Sequence, residues 1–238
     1  MKKAIVVGAT SGIGREIARM LAEEGCCVGI TGRRESLLRE LEQENPEKFI
    51  VKAFDATLTE ENSRHLDELC EALGGFDLMV ISSGTGELNE TFDFSLDKPT
   101  IDLNVAAFTN VADWAMRYFQ NKGSGHLVAI TSVAGVRGAR GAAVYNASKA
   151  YQIHFLEGIR HAVTKDQLPI VVTDVRAGFV DTAMMKGDGH FWVSTPQKAA
   201  RQIMDAIRKK ASVVYVSRRW RLIAGLLRIL PAALYYRT

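Results

Sequence analysis

Residues 4–14 read Ala-Ile-Val-Val-Gly-Ala-Thr-Ser-Gly-Ile-Gly, a short apolar run that passes directly into a glycine-rich loop. A helix-period run, residues 13–24, follows the loop. In a strand–turn–helix context, glycines let backbone N–H groups and a helix N-terminus approach a pyrophosphate. The spacing of Gly8, Gly12 and Gly14 is G-x-x-x-G-x-G rather than the common G-x-G-x-x-G. The stretch therefore predicts a dinucleotide site, with a tight turn that holds no ligand as the alternative.

The rest of the chain repeats this alternation of strand-like and helix-period segments. Continuously apolar runs, such as residues 78–81 and 170–172, are typical of strands that helices cover on both faces. The alternation predicts an α/β fold with a doubly wound, parallel, Rossmann-like sheet, whose ligand lies beyond the C-terminal strand ends. We predict strands at residues 4–7, 27–31, 49–54, 77–82, 126–131, 169–175 and 213–216, and helices at residues 13–24, 35–44, 60–73, 98–120, 143–164 and 196–209.

Composition and charge indicate a single domain that holds no metal. No linker or repeat divides the 238 residues, the net charge is only +3, and the three cysteines and five histidines show no metal-ligand spacing. The first apolar run is needed as a strand, so we expect no cleaved signal peptide and a cytoplasmic protein. The charge is uneven, because no acidic residue follows Asp205. A basic end of this kind favours an anionic surface over general nucleic-acid binding.

Tyr145 and Lys149 lie four residues apart at the start of an apolar-periodic run that predicts a helix. This spacing puts both side chains on one helical face, where an ammonium lowers the pKa of a phenol that is otherwise near ~10. Such a phenol exchanges a proton near neutral pH. Most pairs of this kind are ordinary surface residues. This pair gains weight from the glycine loop and from Ser132, which ends the apolar run 127–131.

Together these residues resemble the short-chain dehydrogenases/reductases, over roughly residues 3–210. The resemblance rests on the glycine loop, Asp55, Asn104 and the order of Ser132, Tyr145 and Lys149. It implies that Ser132 hydrogen-bonds a substrate carbonyl and that Tyr145 is the general acid in reduction or the base in oxidation. It also implies that Lys149 binds the nicotinamide ribose and that Asn104 joins a proton relay through water. For Asn104, a buried amide that the backbone satisfies is the alternative.

The second predicted strand ends in Gly32, Arg33 and Arg34, where an NAD-binding sheet would carry an acid for the ribose 2′-hydroxyl. Guanidinium groups suit a 2′-phosphate instead, so we predict NADP. The alternative is two solvated arginines with Glu35 as a local partner. The resemblance assigns the adenine amino group to Asp55, for which a helix N-cap is the alternative.

Two segments depart from the pattern of the family. Residues 82–86 read Ser-Ser-Gly-Thr-Gly where the family has Asn-Asn-Ala-Gly, and Ala177 replaces the proline of the Pro-Gly-x-Val-x-Thr segment. Val180 and Thr182 still match that segment and are implied to contact the nicotinamide carboxamide. The predicted cofactor-binding residues are Gly8, Thr10, Ser11, Gly12, Ile13, Gly14, Arg33, Arg34, Asp55, Ser83, Gly84, Tyr145, Lys149, Val180 and Thr182.

Residues 218–238 form a basic, apolar tail after the predicted cofactor-binding domain, residues 1–217. A helical projection gathers Arg218, Arg221 and Arg228 on one side. The apolar residues on the other side are Trp220, Ile223, Leu227 and Leu230. The apolar length is too short for a bilayer span of about 20 residues. Three roles remain open for the tail: an interfacial helix on a membrane, packing on a subunit or on the core, and a cover over the substrate mouth.

The predicted function is NADP(H)-dependent interconversion of a carbonyl and an alcohol on a small, apolar substrate. The apolar residues between Thr182 and Pro196 favour such a substrate or a mobile cover. One alternative is a non-catalytic NADP-binding sensor or scaffold, and another is nucleotide-sugar epimerase or dehydratase chemistry. The resemblance further implies a homodimer or homotetramer. The apolar residues between Thr182 and Pro196 that favour a small, apolar substrate are Met184, Met185, Phe191 and Trp192.

Overall fold

The computed structural model describes residues 3–185 and 191–237. Over these residues the chain forms a parallel sheet in the order β3-β2-β1-β4-β5-β6-β7 with helices on both faces. The strands are β1 (Lys3–Val7), β2 (Cys27–Gly32), β3 (Phe49–Ala53), β4 (Leu78–Ile81), β5 (Gly125–Ser132), β6 (Ile170–Ala177) and β7 (Val213–Val216). The helices are α1 (Gly12–Glu23), α2 (Glu35–Glu44), α3 (Thr59–Leu73), α4 (Phe94–Ile101), α5 (Phe108–Lys122), α6 (Ala143–Lys165), α7 (Pro196–Arg208), α8 (Trp220–Ile229) and α9 (Ala232–Tyr235).

The predicted doubly wound sheet is confirmed, and the order of its strands changes direction at β1. Val7 pairs with Thr31 of β2 on one side and with Ile81 of β4 on the other. The connections that leave these strands pass to opposite faces of the sheet, so their loops separate beyond the strand ends. The crevice between them is the place where a doubly wound sheet binds its ligand.

Burial on both faces explains the unbroken apolar runs. Along β1, Ala4 and Val6 face the layer of α1, α2 and α7, whereas Ile5 and Val7 face the layer of α3, α5 and α6. Each strand residue therefore needs an apolar side chain, whichever face it points to. The two cores hold the strands rigidly and thereby fix the loops at their ends.

The helix predicted at residues 98–120 is wrong in its start and in its continuity. It begins at Phe94, where the Asp93 carboxylate accepts a hydrogen bond from the Ser95 N–H (2.8 Å) and caps α4. A π-helical turn, Asp102–Ala107, then separates α4 from α5. Pro99 inside α4 has no backbone N–H to donate to the helix. π-Helical turns occur frequently at functional sites.

The C-terminal tail folds back over the C-terminal ends of the strands. Trp220, at the start of α8, is buried, and its indole packs so closely on Gly178 that any side chain at that glycine would overlap it. The rings of Phe179 and Phe191 pack on the same indole. Within the described ranges no helix is long and apolar enough to span a bilayer.

Candidate active site

The loops beyond the strand ends enclose a cavity of about 740 Å³ that runs from the glycine loop to Tyr145 and Lys149. Every residue predicted for the site lines this cavity except Gly14 and Asn104. These two residues support the wall from behind. The topology therefore brings the predicted catalytic and cofactor-binding residues together in one place.

The glycine loop fits a pyrophosphate by its packing and its exposed helix end. Gly8 has a φ of +91°, and a Cβ there would lie 2.5 Å from the backbone N of Ser83. A Cβ at Gly14 would lie 2.2 Å from the carbonyl oxygen of Gly8. The Ser11 side chain caps none of the first N–H groups of α1, and Gly12 lines the cavity. The positive end of the α1 dipole is thus directed to a crevice of the right shape for an anion.

Two arginines stand at the far edge of the cavity. Arg34 donates through Nη2 to the hydroxyls of Thr10 (2.6 Å) and Ser11 (2.9 Å), which holds it across the glycine loop. Arg33 is exposed, with its Nη1 3.7 Å from Oδ2 of Asp55. Oδ1 of Asp55 also accepts hydrogen bonds from the N–H and the hydroxyl of Thr57 in the same loop. The cap residue of α3 is Leu58, so the alternative that Asp55 is a helix N-cap is wrong.

The loop after β4 packs directly on the tyrosine. A Cβ on Gly86 would lie 2.5 Å from the ring of Tyr145, so only a glycine lets the chain pass so close. Asn104 anchors this loop, because its Oδ1 accepts from the Thr85 N–H (2.9 Å) and its Nδ2 donates to the Thr85 carbonyl (2.7 Å). Nδ2 also donates to the Ser148 hydroxyl (3.0 Å). Asn104 therefore has the backbone partners of the buried-amide alternative, and the water-linked relay stays a prediction.

Ser132 and Tyr145 meet on the cavity wall. The Ser132 hydroxyl donates to the carbonyl of Ala177 (3.2 Å) and accepts from the N–H of Ala134 (3.1 Å). Burial raises the pKa of the Tyr145 phenol, and a hydrogen bond with Ser132 opposes the rise without cancelling it. A phenol with a raised pKa keeps its proton at neutral pH and is available as a proton donor.

The pKa of this phenol is raised and not lowered, so the predicted direction of its shift is wrong. Nζ of Lys149 lies 5.9 Å from the centroid of the Tyr145 ring and donates to the Ile130 carbonyl (3.2 Å) and to Oε1 of Gln152 (2.9 Å). Burial lowers the pKa of Lys149 to about 8, against the attraction of Asp174. The ammonium is directed to partners other than the phenol, and burial of the phenol dominates.

The segment after β6 forms the wall beside the glycine loop. Val180 and Thr182 both line the cavity, and the Thr182 methyl stands 3.1 Å from where a Cβ on Gly12 would be. Met184 and Met185 line the cavity as well. The rings of Phe191 and Trp192, which belong to the predicted substrate segment, pack instead around the indole of Trp220. Residues 186–190 of that segment lie outside the described residues.

Sequence reasoning missed part of the wall that comes from the tail. Trp220, Leu227 and Tyr235 line the cavity. Arg137 holds the tail there, because it donates to the Leu227 carbonyl (2.9 Å) and its guanidinium lies 4.2 Å from the centroid of the Tyr235 ring. Of the three roles left open for the tail, the structure shows the cover over the mouth. The boundary at residue 217 stays a prediction, although both sides of it contribute to the cavity.

The family model described as short chain dehydrogenase matches residues 2–191. The chain belongs to the short-chain dehydrogenase family. It is therefore an oxidoreductase that binds a nicotinamide dinucleotide and acts on a small molecule. The match ends before α7, so the tail that covers the cavity of this short-chain dehydrogenase lies outside the residues that the family model matches.

Curated relatives and solved structures agree with this assignment. An uncharacterized oxidoreductase of Staphylococcus epidermidis is 30% identical over 190 residues, which cover 78% of this short-chain dehydrogenase and 81% of that protein. An uncharacterized oxidoreductase of Mycobacterium tuberculosis is 34% identical over 191 residues, covering 77% and 75% of the two chains.

Two crystal structures show the same fold. A short-chain dehydrogenase of Streptomyces avermitilis superimposes with a TM-score of 0.79 at 22% identity, covering 94% of this chain and 95% of that one. A short-chain dehydrogenase/reductase of Burkholderia phymatum, in complex with NAD, gives a TM-score of 0.84 at 17% identity, covering 94% and 92%. At these identities the likeness confirms the fold alone.

Proposed function

We propose that this short-chain dehydrogenase reduces a carbonyl compound with NADPH. The observation that carries the proposal is that Ser132 and Tyr145 both lie on the wall of one cavity that continues to the glycine loop. A serine hydroxyl, which turns from the Ala177 carbonyl when substrate binds, and a phenol that keeps its proton supply two donors for one oxygen. Donors at this position stabilise the negative charge that a carbonyl oxygen develops during reduction.

In this proposal the protein orients the carbonyl and supplies one proton. The reduced nicotinamide supplies the hydride that forms the new C–H bond at the carbonyl carbon. Ser132 holds the carbonyl oxygen, and Tyr145 transfers its phenolic proton to that oxygen, which yields the alcohol. The phenol then regains a proton from solvent. Lys149 in its ammonium form stabilises the transient phenolate, and it binds the nicotinamide ribose.

The proton that a phenol carries at neutral pH supports reduction as the direction in which Tyr145 starts ready to act, because the pKa of a phenol is near ~10 even without burial. A general acid has to carry its proton when the reaction starts, and burial further ensures that this phenol does. In oxidation the same residue would have to lose its proton first, at a cost that grows with its pKa. We therefore propose Tyr145 as a general acid that works in the reductive direction.

The guanidinium groups at the cavity edge support NADP as the cofactor. Glu35, the local partner in the alternative interpretation, pairs with Arg39 rather than with Arg33 or Arg34. Arg34 is already oriented by the glycine loop, and Arg33 lies beside Asp55. A 2′-phosphate would receive donors from both side chains, which suits the planar, always charged guanidinium group.

The wall around Tyr145 supports a small apolar substrate. Leu88, Met185 and Leu227 line the cavity together with the indole of Trp220. Apolar walls with a few convergent polar groups are typical of sites that bind small organic molecules. The donors for the substrate are Ser132 and the tyrosine, so a lipophilic aldehyde or ketone fits better than a sugar.

A panel of carbonyl compounds tests the proposal against its rivals. We expect NADPH to be consumed in step with alcohol formation from aliphatic or aromatic aldehydes and ketones. A sensor or scaffold protein would bind NADPH but oxidise it with no compound on the panel. An epimerase or dehydratase would convert a nucleotide sugar without net consumption of the cofactor. Either of these two outcomes would overturn the proposal.

We also propose that the tail contacts an anionic membrane surface. One face of α8 lies on the cavity, while Leu222, Leu226 and Ile229, at i, i+4 and i+7, are 75%, 54% and 79% exposed. Such spacing forms one apolar stripe. The charged side chains of the tail itself are all positive, because no acidic residue occurs after Asp205. A helix with an apolar stripe and flanking cations suits the interface of an anionic bilayer, at about 1 kcal/mol per near-surface cation. The exposed cations are Arg218, Arg219, Arg221, Arg228 and Arg237.

Vesicle sedimentation tests the membrane contact. Wild-type protein should sediment with vesicles of phosphatidylglycerol and phosphatidylcholine, and much less with phosphatidylcholine alone or at high salt. Leu222→Ser with Ile229→Ser should abolish sedimentation, whereas Leu58→Ser, a change of a half-exposed leucine outside the tail, should leave it unchanged. Equal sedimentation of the double variant and the wild type would contradict the proposal. A concentration-dependent dimer that the double variant loses would assign the stripe to a second copy instead.

We propose that the protein is a cytoplasmic homodimer or homotetramer, as the resemblance to its family suggests. The chain has a mass of 26.2 kDa, so analytical ultracentrifugation should give a particle of two or four times this mass. A particle of one chain mass at micromolar concentration would contradict the proposal.

A further inference from the structure

A buried glutamine connects Lys149 to the backbone at Asn104. Gln152 lies three residues after Lys149 on α6 and has no solvent exposure. Its Oε1 accepts a hydrogen bond from Nζ of Lys149 (2.9 Å), and its Nε2 donates to the carbonyl oxygen of Asn104 (2.9 Å). One side chain therefore makes the connection for which the sequence predicts a water molecule.

We propose that Gln152 is a positioning residue that fixes the Lys149 ammonium by linking it directly to the carbonyl of Asn104. This inference rests on the proposed function and deepens it. An amide passes no proton along such a link, since its N–H is not acidic near neutral pH. Gln152 therefore holds the ammonium in place and takes no part in proton transfer itself.

The surroundings of the ammonium explain why it needs such a partner. Lys149 is 3% exposed, so its Nζ depends on protein acceptors in place of water. Its acceptors are the Ile130 carbonyl on β5 and Gln152. A hydrogen bond that a neutral amide oxygen accepts from an ammonium favours the charged form of the lysine. Without it, the lysine would lose its proton at a lower pH.

The other groups around Lys149 do not replace this acceptor. Tyr145 on the same helix has its ring 5.9 Å from Nζ, and the Asp174 carboxylate on β6 is engaged with Arg176 (2.7 Å). Among charged or titratable residues, β5 carries only His126, near its opposite end, and the π-helical turn carries only Asp102, which Lys98 binds. Gln152 is thus the side chain that accepts a hydrogen bond directly from the Lys149 ammonium.

Two substitutions at Gln152 should move the pKa of Lys149 in opposite directions. Gln152→Met keeps the volume but removes the acceptor, whereas Gln152→Glu places a carboxylate on the same ammonium. A hydrogen bond to a charged group is equivalent to about one pH unit or more, so we expect a fall of about one unit for Met and a rise of similar size for Glu. The control is Gln202→Met, a half-buried glutamine of α7 that does not line the cavity.

Two readouts measure this shift in the full-length protein. Competitive acetylation with mass spectrometry of the Lys149 peptide gives the lysine pKa without any turnover. The pH profile of kcat for carbonyl reduction gives it through activity, because the ammonium is present below the folded pKa and is lost as the pH rises through it. The alkaline limb should therefore move to lower pH in Gln152→Met and to higher pH in Gln152→Glu.

These readouts separate failure of the inference from failure of the proposed function. A Lys149 pKa that is the same in wild type and in both folded variants would overturn the positioning role. A pKa that falls in both variants would also overturn it, since a space-filling residue would act in that way. Opposed shifts by acetylation in a protein that reduces no carbonyl would support the link and refute the proposed function.

Discussion

Replacing Arg33 and Arg34 tests the cofactor assignment at its most specific point, because the 2′-phosphate is present in NADPH and absent from NADH. A hydrogen bond to a charged group contributes about 1.5–3 kcal/mol, equivalent to about 10- to 150-fold in affinity. The Arg33 side chain is 66% exposed and pairs with Asp55, so screening by water places its contribution near tenfold. Arg34 is held by Thr10 and Ser11, which lowers the entropy cost of binding, so its expected contribution to the affinity for NADPH is about 30-fold.

The assay measures KM for NADPH and for NADH in Arg33→Ala and Arg34→Ala. The KM for NADPH should rise by about tenfold and about 30-fold respectively, and the KM for NADH should stay within about twofold. Arg39→Ala is the matched control, since Arg39 is an exposed arginine of α2 that pairs with Glu35 and Glu42. Equal losses for both cofactors would refute the 2′-phosphate assignment. Unchanged values for both would refute a role for these arginines in cofactor binding.

Two further changes test the packing around the site. Gly8→Ala puts a Cβ 2.5 Å from the loop after β4 at a φ of +91°, and should lower the free energy of unfolding in urea by about 2–4 kcal/mol. Gly158→Ala, with no atom within 4 Å of its Cβ, should raise it by about 0.5–1 kcal/mol, and similar stabilities for both variants would contradict the described loop. Asp174→Asn leaves the buried guanidinium of Arg176 without its counter-charge and should cost about 3–5 kcal/mol in the same titration. Arg208→Ala breaks two exposed ion pairs, with Glu24 and with Asp205, and should cost about 1 kcal/mol or less. Equally small losses for Asp174→Asn would show that the Asp174–Arg176 pair is not buried in solution.

The sheet and the crevice beside the glycine loop could be predicted because their signals are local. Each residue from Ala4 to Val7 is buried against a helix layer, so the strand appears as an unbroken apolar run. A Cβ at Gly8 or at Gly14 would collide with backbone atoms of the loop after β4 or of the glycine loop itself, so both positions need glycine. This requirement fixes the glycine spacing in the sequence. The same locality explains why nearly all of the predicted binding residues line one cavity.

The protonation of the site could not be predicted, because it depends on contacts between distant segments. A spacing of four puts Tyr145 and Lys149 on one face of a helix but does not determine where the ammonium points. The phenol is buried by the loop at Gly86, nearly sixty residues away in the chain, and that burial raises its pKa. Gln152 gave a weak signal as a polar residue in an apolar-periodic run. The tail gave an amphipathic pattern, which does not say what its apolar face covers.

Tyr145→Phe tests whether this phenol supplies the proton for carbonyl reduction. It removes one hydroxyl and should leave the fold intact, and the dissociation constant for NADPH should rise by less than about tenfold, the contribution of the one hydrogen bond that Tyr145 is predicted to give the cofactor. Loss of a general acid should lower kcat for carbonyl reduction by about 100-fold or more. Tyr151→Phe, on the same helix with its hydroxyl bonded to Thr109, should keep the wild-type rate. A Tyr145→Phe enzyme that reduces the same substrate at the rate of the wild type would contradict the account.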